Sequence, residues 1–321
     1  MTNVFPIGRR PAPATSTVRG ASKATRAPWE EPPTAVGRAA KVLTLTAVVG
    51  TVLVPLWIIV VTSFSTPGAI NRAGGLVLWP DGLTMRAYRE MLGEPTVRTA
   101  LLVSLAITVI GTAISMVVSV LCAYGLSRSG SFGHRAVLWL LIVTMFVSGG
   151  LIPTFLVVTG LGGYGRFWAL ILPSSVSVFN ILVLRSFYSQ TSSELIDAAR
   201  VDGAGDWRIL WSVVLPTSRA VTAVITLFYA VGYWNSFFNV MLYMPTESEK
   251  WPLQYVLLTY VNRGIGLPGQ TNGGFGETHA QTAPLSLQMA VVVLTLVPLL
   301  VVYPFVQKHF RTGVLTGAIK G

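Results

Sequence analysis

Crossing a hydrocarbon core about 30 Å thick takes roughly 20 apolar residues in a helix that rises about 1.5 Å per residue. Six stretches of this 321-residue chain reach that length, at positions 41–64, 99–124, 136–159, 167–188, 218–241 and 287–307. A chain built this way has little choice of solvent. Only 11% of its residues are charged and 52% are hydrophobic, whereas a soluble domain carries about a quarter charged residues. The expected class is therefore all-α, a polytopic membrane protein with six transmembrane helices.

The fourth stretch is diluted by Pro173, Ser174, Ser175, Ser177 and Asn180, and charge decides whether it crosses. Cytoplasmic flanks of membrane helices are enriched in Lys and Arg. With six spans and a cytoplasmic N-terminus, only Arg72, Arg86, Arg89, Arg98, Arg166, Lys250 and Arg263 fall outside, leaving 16 of the 23 basic residues inside. Removing the fourth span inverts everything after it, and the counts become 11 inside and 12 outside. The asymmetry survives only with six spans, so both termini are expected in the cytoplasm. The same flanking charges account for the net charge of +11 without a nucleic-acid partner.

Residues 1–36 are rich in Pro, Ala, Thr and Arg without helical or strand periodicity, and they are expected to form a disordered cytoplasmic tail before a permease domain over 37–321. After the first span, Trp79-Pro80-Asp81-Gly82 is a turn signal. Thr84 is placed to cap a short helix presenting Tyr88, Met91 and Leu92 to the membrane surface. The external segment 245–286 is long and glycine-rich, and it reads equally as a partner-binding loop or a connector. No pair of interrupted spans stands out in matching halves of the chain. Gly149, Gly150 and Pro153 read as close packing and a kink within the third span.

What is missing narrows the chemistry. All 12 Asp and Glu residues lie in the tail or the loops, whereas proton-coupled carriers place ionisable side chains at membrane depth. No phosphate-cradling glycine loop ending in Lys-Ser or Lys-Thr is present, so ATP is not expected to bind this chain. Cys122 stands alone in an apolar run, and His134, His279 and His309 are scattered, so no metal site is expected. No acid-base pair or activated nucleophile shares a helix face, and the chain is not expected to be an enzyme. Energy for any driven transport has to enter through a partner.

The segment 190–217 is where a partner could push. Thr191 and Glu194 have the spacing of a capping box, and the helix they open is expected to run to about Asp202 and stop at Gly203. A second helix restarts near Asp206, and Pro216 is expected to open the fifth span, where a missing N–H costs little. The small Ala198 and Ala199 permit close approach of another protein.

In this segment Asp197-Ala198-Ala199, Gly203, Val213 and Leu215-Pro216 follow one another at the spacing of the EAA loop of ABC-importer permeases, which the chain resembles; Asp197 replaces the family's Glu and Val213 its Ile. The resemblance implies a type I ABC-importer permease fold and assigns Asp197, Ala198, Ala199, Gly203, Leu215 and Pro216 to docking on an ATPase subunit. From position 42 to the end the chain is similar to the carbohydrate-uptake branch, in particular permeases for oligosaccharides and fragments of complex polysaccharides. The segments 149–155, 232–239, 251–254 and 317–321 carry that likeness. It implies a bacterial inner-membrane location, a second permease subunit in a heterodimer, two ATPase subunits holding ATP and Mg, and an external solute-binding lipoprotein.

A sugar route needs hydrogen-bonding groups for hydroxyls and aromatic faces for ring C–H surfaces. By depth, Thr144 and Ser148 in the third span, Asn180 in the fourth, and Tyr233, Trp234, Asn235 and Asn239 in the fifth are the candidates, with Asn235 and Asn239 on one helix face. The same residues serve equally as interhelical hydrogen bonders and interface anchors. The loop motif does not distinguish sugar from peptide or amino-acid cargo. A stand-alone secondary carrier is the remaining alternative.

Overall fold

The computed structural model describes residues 34–128, 130, 133–191, 193–263 and 284–318, and it divides into two units, 1–53 and 54–321. Residues 1–33 of the expected tail lie outside the described residues. In the first unit helix α1 (Ala35–Ser63) begins, with the Thr34 hydroxyl accepting from the Gly37 N–H at 3.1 Å.

In the second unit, α1 ends among the buried residues Val61, Thr62 and Ser63. The chain passes through α2 (Pro67–Arg72) and folds back on the end of α1. Trp57 donates its indole N–H to the Leu78 carbonyl at 2.9 Å, and Val77 donates its N–H to the Thr62 hydroxyl at 3.0 Å. The expected turn is present, with Gly82 at φ +76° and Asp81 paired with Arg72. Thr84 accepts from the Arg86 N–H at 3.2 Å at the start of α3 (Arg86–Gly93). The expected membrane-facing surface of α3 holds for Leu92, which is exposed, and is corrected for the other two: Met91 is buried, and Tyr88 packs tilted against Phe64 at 4.8 Å with its hydroxyl 2.8 Å from that of Ser63. Burial pushes the Tyr88 phenol up, and the Ser63 hydrogen bond works against that shift.

Helix α4 (Pro95–Ser127) is the axis of the fold. Its buried face carries Ala100, Ser104, Ile107, Gly111, Ser115, Ser119 and Ala123, mostly small residues about one turn apart. Small side chains let helices approach closely where lipid offers no hydrophobic drive for association. At Gly111 the approach reaches its limit, since a Cβ there would stand 2.8 Å from the Tyr233 ring.

The third expected span is two helices, α5 (His134–Phe146) and α6 (Leu151–Gly160), bent by 117°. Gly150 makes the bend with φ +80°. The kink the sequence suggests is present as a corner, and among the described residues nothing lies within 4 Å of a Cβ built on Gly149. The fourth span is α7 (Trp168–Ile171), a 3-10 turn over Leu172–Ser174 and α8 (Val178–Ser189), bent by 50°. Its polar residues mark a broken helix.

Helix α9 (Ser193–Val201) and α10 (Asp206–Ile209) follow, continued by a π-helical stretch at Leu210–Val214 and α11 (Leu215–Thr217). Helix α9 begins at Ser193, two residues after Thr191, and residue 192 lies outside the described residues. An 88° corner at Ser218 then leads into α12 (Arg219–Trp234). The expectation that Pro216 opens this span is corrected: Pro216 lies in the helical arm before the corner. The Leu215 N–H reaches five residues back to the Leu210 carbonyl. That wider turn accommodates a proline ring that would otherwise crowd the carbonyl four residues earlier.

The fold closes with α13 (Phe238–Tyr243), α14 (Leu253–Arg263) and α15 (Pro284–Ala318). Part of the expected external segment is thus an ordered helix, seated on α4 by the Leu253 N–H to Ser104 hydroxyl bond at 2.7 Å; residues 264–283 lie outside the described residues. Among the described residues three helices are long and apolar enough to cross a membrane singly, and the count is six when each of the three bent pairs is taken as one span, consistent with the six expected. The fold is all-α, as expected. The core is α4 packed against α12, α8 and α14, with α15 packed on α12 and α14.

Candidate functional site

Two places hold the residues singled out above: a cavity beside the breaks in the fourth and fifth spans, and the elbow between α9 and α10.

The cavity measures about 350 Å³ and is lined by Ser174, Ser177, Asn180, Tyr229, Asn235 and Asn239, together with Gly232, Tyr233, Ser236 and the rings of Phe228, Phe237 and Phe238. None of these residues is charged. Two tyrosines of α12 hold the broken span in place. The Tyr229 hydroxyl lies 2.7 Å from that of Ser119 and accepts from the Ser177 N–H at 3.2 Å. One turn on, the Tyr233 hydroxyl lies 2.8 Å from that of Ser115 and donates to the Ile171 carbonyl at 3.0 Å. The backbone groups freed where the span breaks thus find partners on α12, as a break at membrane depth requires.

Of the candidate pathway residues, Asn180, Tyr233, Asn235 and Asn239 meet at this cavity. Asn235 and Asn239 reach it by a different route from the one expected. Helix α12 ends at Trp234 and α13 begins at Phe238, so the two do not share a helix face. The Asn235 carboxamide caps the Val231 carbonyl at 2.9 Å and accepts from Gln254 at 3.3 Å, and Asn239 donates to the Ser174 hydroxyl at 3.3 Å. Asn180 is 6% exposed.

Three candidates lie elsewhere. Trp234 points away, donating its indole N–H to the Thr295 carbonyl at 3.0 Å and facing a separate apolar cavity of about 560 Å³ between α4, α12 and α15. Thr144 binds its own helix at the Leu141 carbonyl, and Ser148 accepts from the Gly150 N–H in the α5–α6 corner. Sequence reasoning missed Ser174, Ser177 and Tyr229. The first two are among the polar residues that dilute the fourth span.

The elbow is built by one glycine. Gly203, at φ +77°, ends α9 with its N–H on the Arg200 carbonyl, while the Ala204 N–H reaches the Ala199 carbonyl, both at 2.9 Å. This paired closure is the Schellman motif, which favours glycine at its left-handed position. Asp197 is exposed and stands 3.9 Å from Arg200; Ala198 and Pro216 are exposed, and Ala199 and Leu215 are half-buried. The sequence did not single out the apolar groups around them. Leu195 is 51% exposed, Val201 88%, Trp207 67% and Trp211 66%. A hydrophobic patch beside a charged rim fits a protein partner.

The model of the family described as "Binding-protein-dependent transport system inner membrane component" matches residues 98–316. The polygalacturonan/rhamnogalacturonan transport system permease protein YtcP of Bacillus subtilis is 40% identical over 271 residues, covering 84% of this chain and 93% of that protein. Protein LplC of the same organism is 37% identical, covering 84% of this chain and 90% of its own. Among solved structures, a chain of a bacterial ABC transporter involved in import of the acidic polysaccharide alginate superposes with TM-score 0.80 at 28% identity, covering 88% of this chain and all of that one.

Proposed function

The chain belongs to the family of binding-protein-dependent transport system inner membrane components, and from that premise we propose that it forms one half of the translocation path of an ATP-driven importer of oligosaccharides. The observation that carries the cargo is the cavity. It offers carboxamides, hydroxyls and aromatic faces and no charge, which is the chemistry a polyhydroxylated chain needs. The relatives point to the same cargo, polygalacturonan/rhamnogalacturonan for YtcP and alginate for the superposed transporter. Peptide or amino-acid cargo has no such support. Asn180, Tyr233, Asn235 and Asn239 face the sugar in this reading, together with Ser174, Ser177 and Tyr229.

The elbow supplies the drive. Asp197, Ala198, Ala199, Gly203, Leu215 and Pro216, with the Trp207 and Trp211 rings, dock on a partner ATPase, and α10 to α12 carry its closure around the 88° corner to the cavity wall. ATP and Mg belong to that partner. A second permease, in a heterodimer, completes the path. An external solute-binding lipoprotein delivers the sugar, and both termini lie in the cytoplasm.

The assembled complex in proteoliposomes tests this reading. It should co-purify an ATPase and take up oligosaccharide only with ATP and receptor present. ATP-independent uptake by this chain alone under an ion gradient would overturn it.

A further inference from the structure

Resting on the sugar reading, we propose that the N-terminus of α8 binds a carboxylate of the passing saccharide, so that this cavity selects acidic sugars. Helix α8 (Val178–Ser189) opens at the cavity, where the Ser177 hydroxyl caps it by accepting from the Asn180 N–H at 3.4 Å. The N–H groups of Val178 and Phe179 have no acceptor among the described residues. Free N–H groups and the positive end of the helix dipole together favour an anion.

The second observation is Asn180 itself. It is 94% buried, lines the cavity, and its carboxamide makes no hydrogen bond with any described residue. A carboxamide that opens on the cavity without a protein partner is free to pair with whatever enters it. Its NH2 group supplies two donors, one for a carboxylate oxygen while the helix terminus takes the other.

The opposite helix pole at the same cavity is capped at two of its last four carbonyls. Helix α12 ends there with its negative end, but the Val231 carbonyl accepts from both the Asn235 N–H and its carboxamide, and the Tyr233 carbonyl accepts from the Ser236 N–H. No acidic side chain lines the cavity to repel an anion, and no basic one competes for it. Donors stand open on the positive side, and on the negative side the Val231 and Tyr233 carbonyls are capped. That asymmetry suits a uronate better than a neutral sugar, and the absence of Arg or Lys keeps its hold weak enough for release onward.

The test uses the full complex in proteoliposomes, supplied with a pool of oligouronides from pectin and alginate and with the same pool after carboxyl reduction to neutral alcohols. Luminal sugars are read by mass spectrometry. Asn180→Asp places a charge at the site, and Ser177→Asp keeps a good helix cap while filling the helix terminus with its own anion. Each variant should lower the ratio of acidic to neutral uptake by about tenfold, and Asn180→Ala by about threefold. Should Asn180→Asp fail to assemble, Ser177→Asp still gives the answer. Uptake of uronides alone by wild type, lost in both charged variants, supports the proposal equally. An unchanged ratio in Ser177→Asp, or an equal loss of both pools, overturns the carboxylate site and leaves sugar import standing. Failure of wild type to take up either pool overturns the sugar reading and this inference with it.

Discussion

The cavity and the elbow solve opposite problems. Around the cavity, tyrosine hydroxyls and asparagine carboxamides tie the broken spans to α4 and to one another, so its shape is set inside this chain. At the elbow, Val201, Trp207 and Trp211 stand exposed beside the exposed Asp197 and Ala198. A cavity held by its own chain is preorganised for a small ligand, whereas a surface of exposed indoles is finished only by another protein. The contrast predicts that damage at the elbow abolishes coupling with the fold intact, while damage at the cavity wall harms fold and transport together.

The largest effect should come from Gly203→Trp. Its Cβ would meet open space, the left-handed turn would be strained, and in the proposed reading a bulky ring would stand on the face that docks on the ATPase. ATP-driven uptake should fall more than about a hundredfold, with ATPase co-purification lost. Full uptake with normal co-purification would remove the elbow from the mechanism. Gly111→Val comes next, because the added side chain drives into the Tyr233 ring; overpacking of about 1–3 kcal/mol should lower folded yield about tenfold, read by size-exclusion chromatography in detergent. Trp207→Ser should weaken ATPase binding about tenfold with the thermal unfolding midpoint unchanged, the converse of Gly111→Val.

Smaller effects sharpen the picture inside the cavity. Tyr233→Ala should lower uptake roughly tenfold and stability with it, whereas Trp234→Phe, on the other side of α12, should lower stability alone by about 1 kcal/mol. Equal losses of uptake would mean that the two sides of α12 are not separate. Tyr229→Phe keeps the ring and removes the hydroxyl shared by Ser119 and Ser177. Interhelical hydrogen bonds in membranes average about 0.6 kcal/mol, so a two- to threefold loss of uptake is expected.

Much of this was legible from residue order, for reasons that differ from place to place. Gly203 could be read because a left-handed helix end leaves few residue choices. The fourth span could be counted from charge, and its serines and Pro173 signalled the break that now forms a cavity wall. Pro216 was misread because a π-turn, which leaves no mark in composition, lets a proline sit inside the arm before a corner. Trp234 was misread because adjacent helix positions face about 100° apart: Tyr233 beside it meets the cavity and Trp234 meets α15. Thr144 and Ser148 have the right depth, but the 117° corner at Gly150 shows that depth along a sequence is not depth along a straight helix. The exposed indoles at the elbow were invisible for another reason: an apolar residue in an apolar chain gives no sign of which side it faces.

The glycine on α4 facing the Tyr233 ring also limits how this body can move. A slide of α4 along α12 by one turn, about 5.4 Å, would bring Ile107 or Ser115 to the point where Gly111 leaves room. The ring would then meet a side chain, and the Ser115–Tyr233 and Ser119–Tyr229 pairings would fall out of register. The missing side chain at position 111 therefore sets one register between these two helices and opposes shear along their contact.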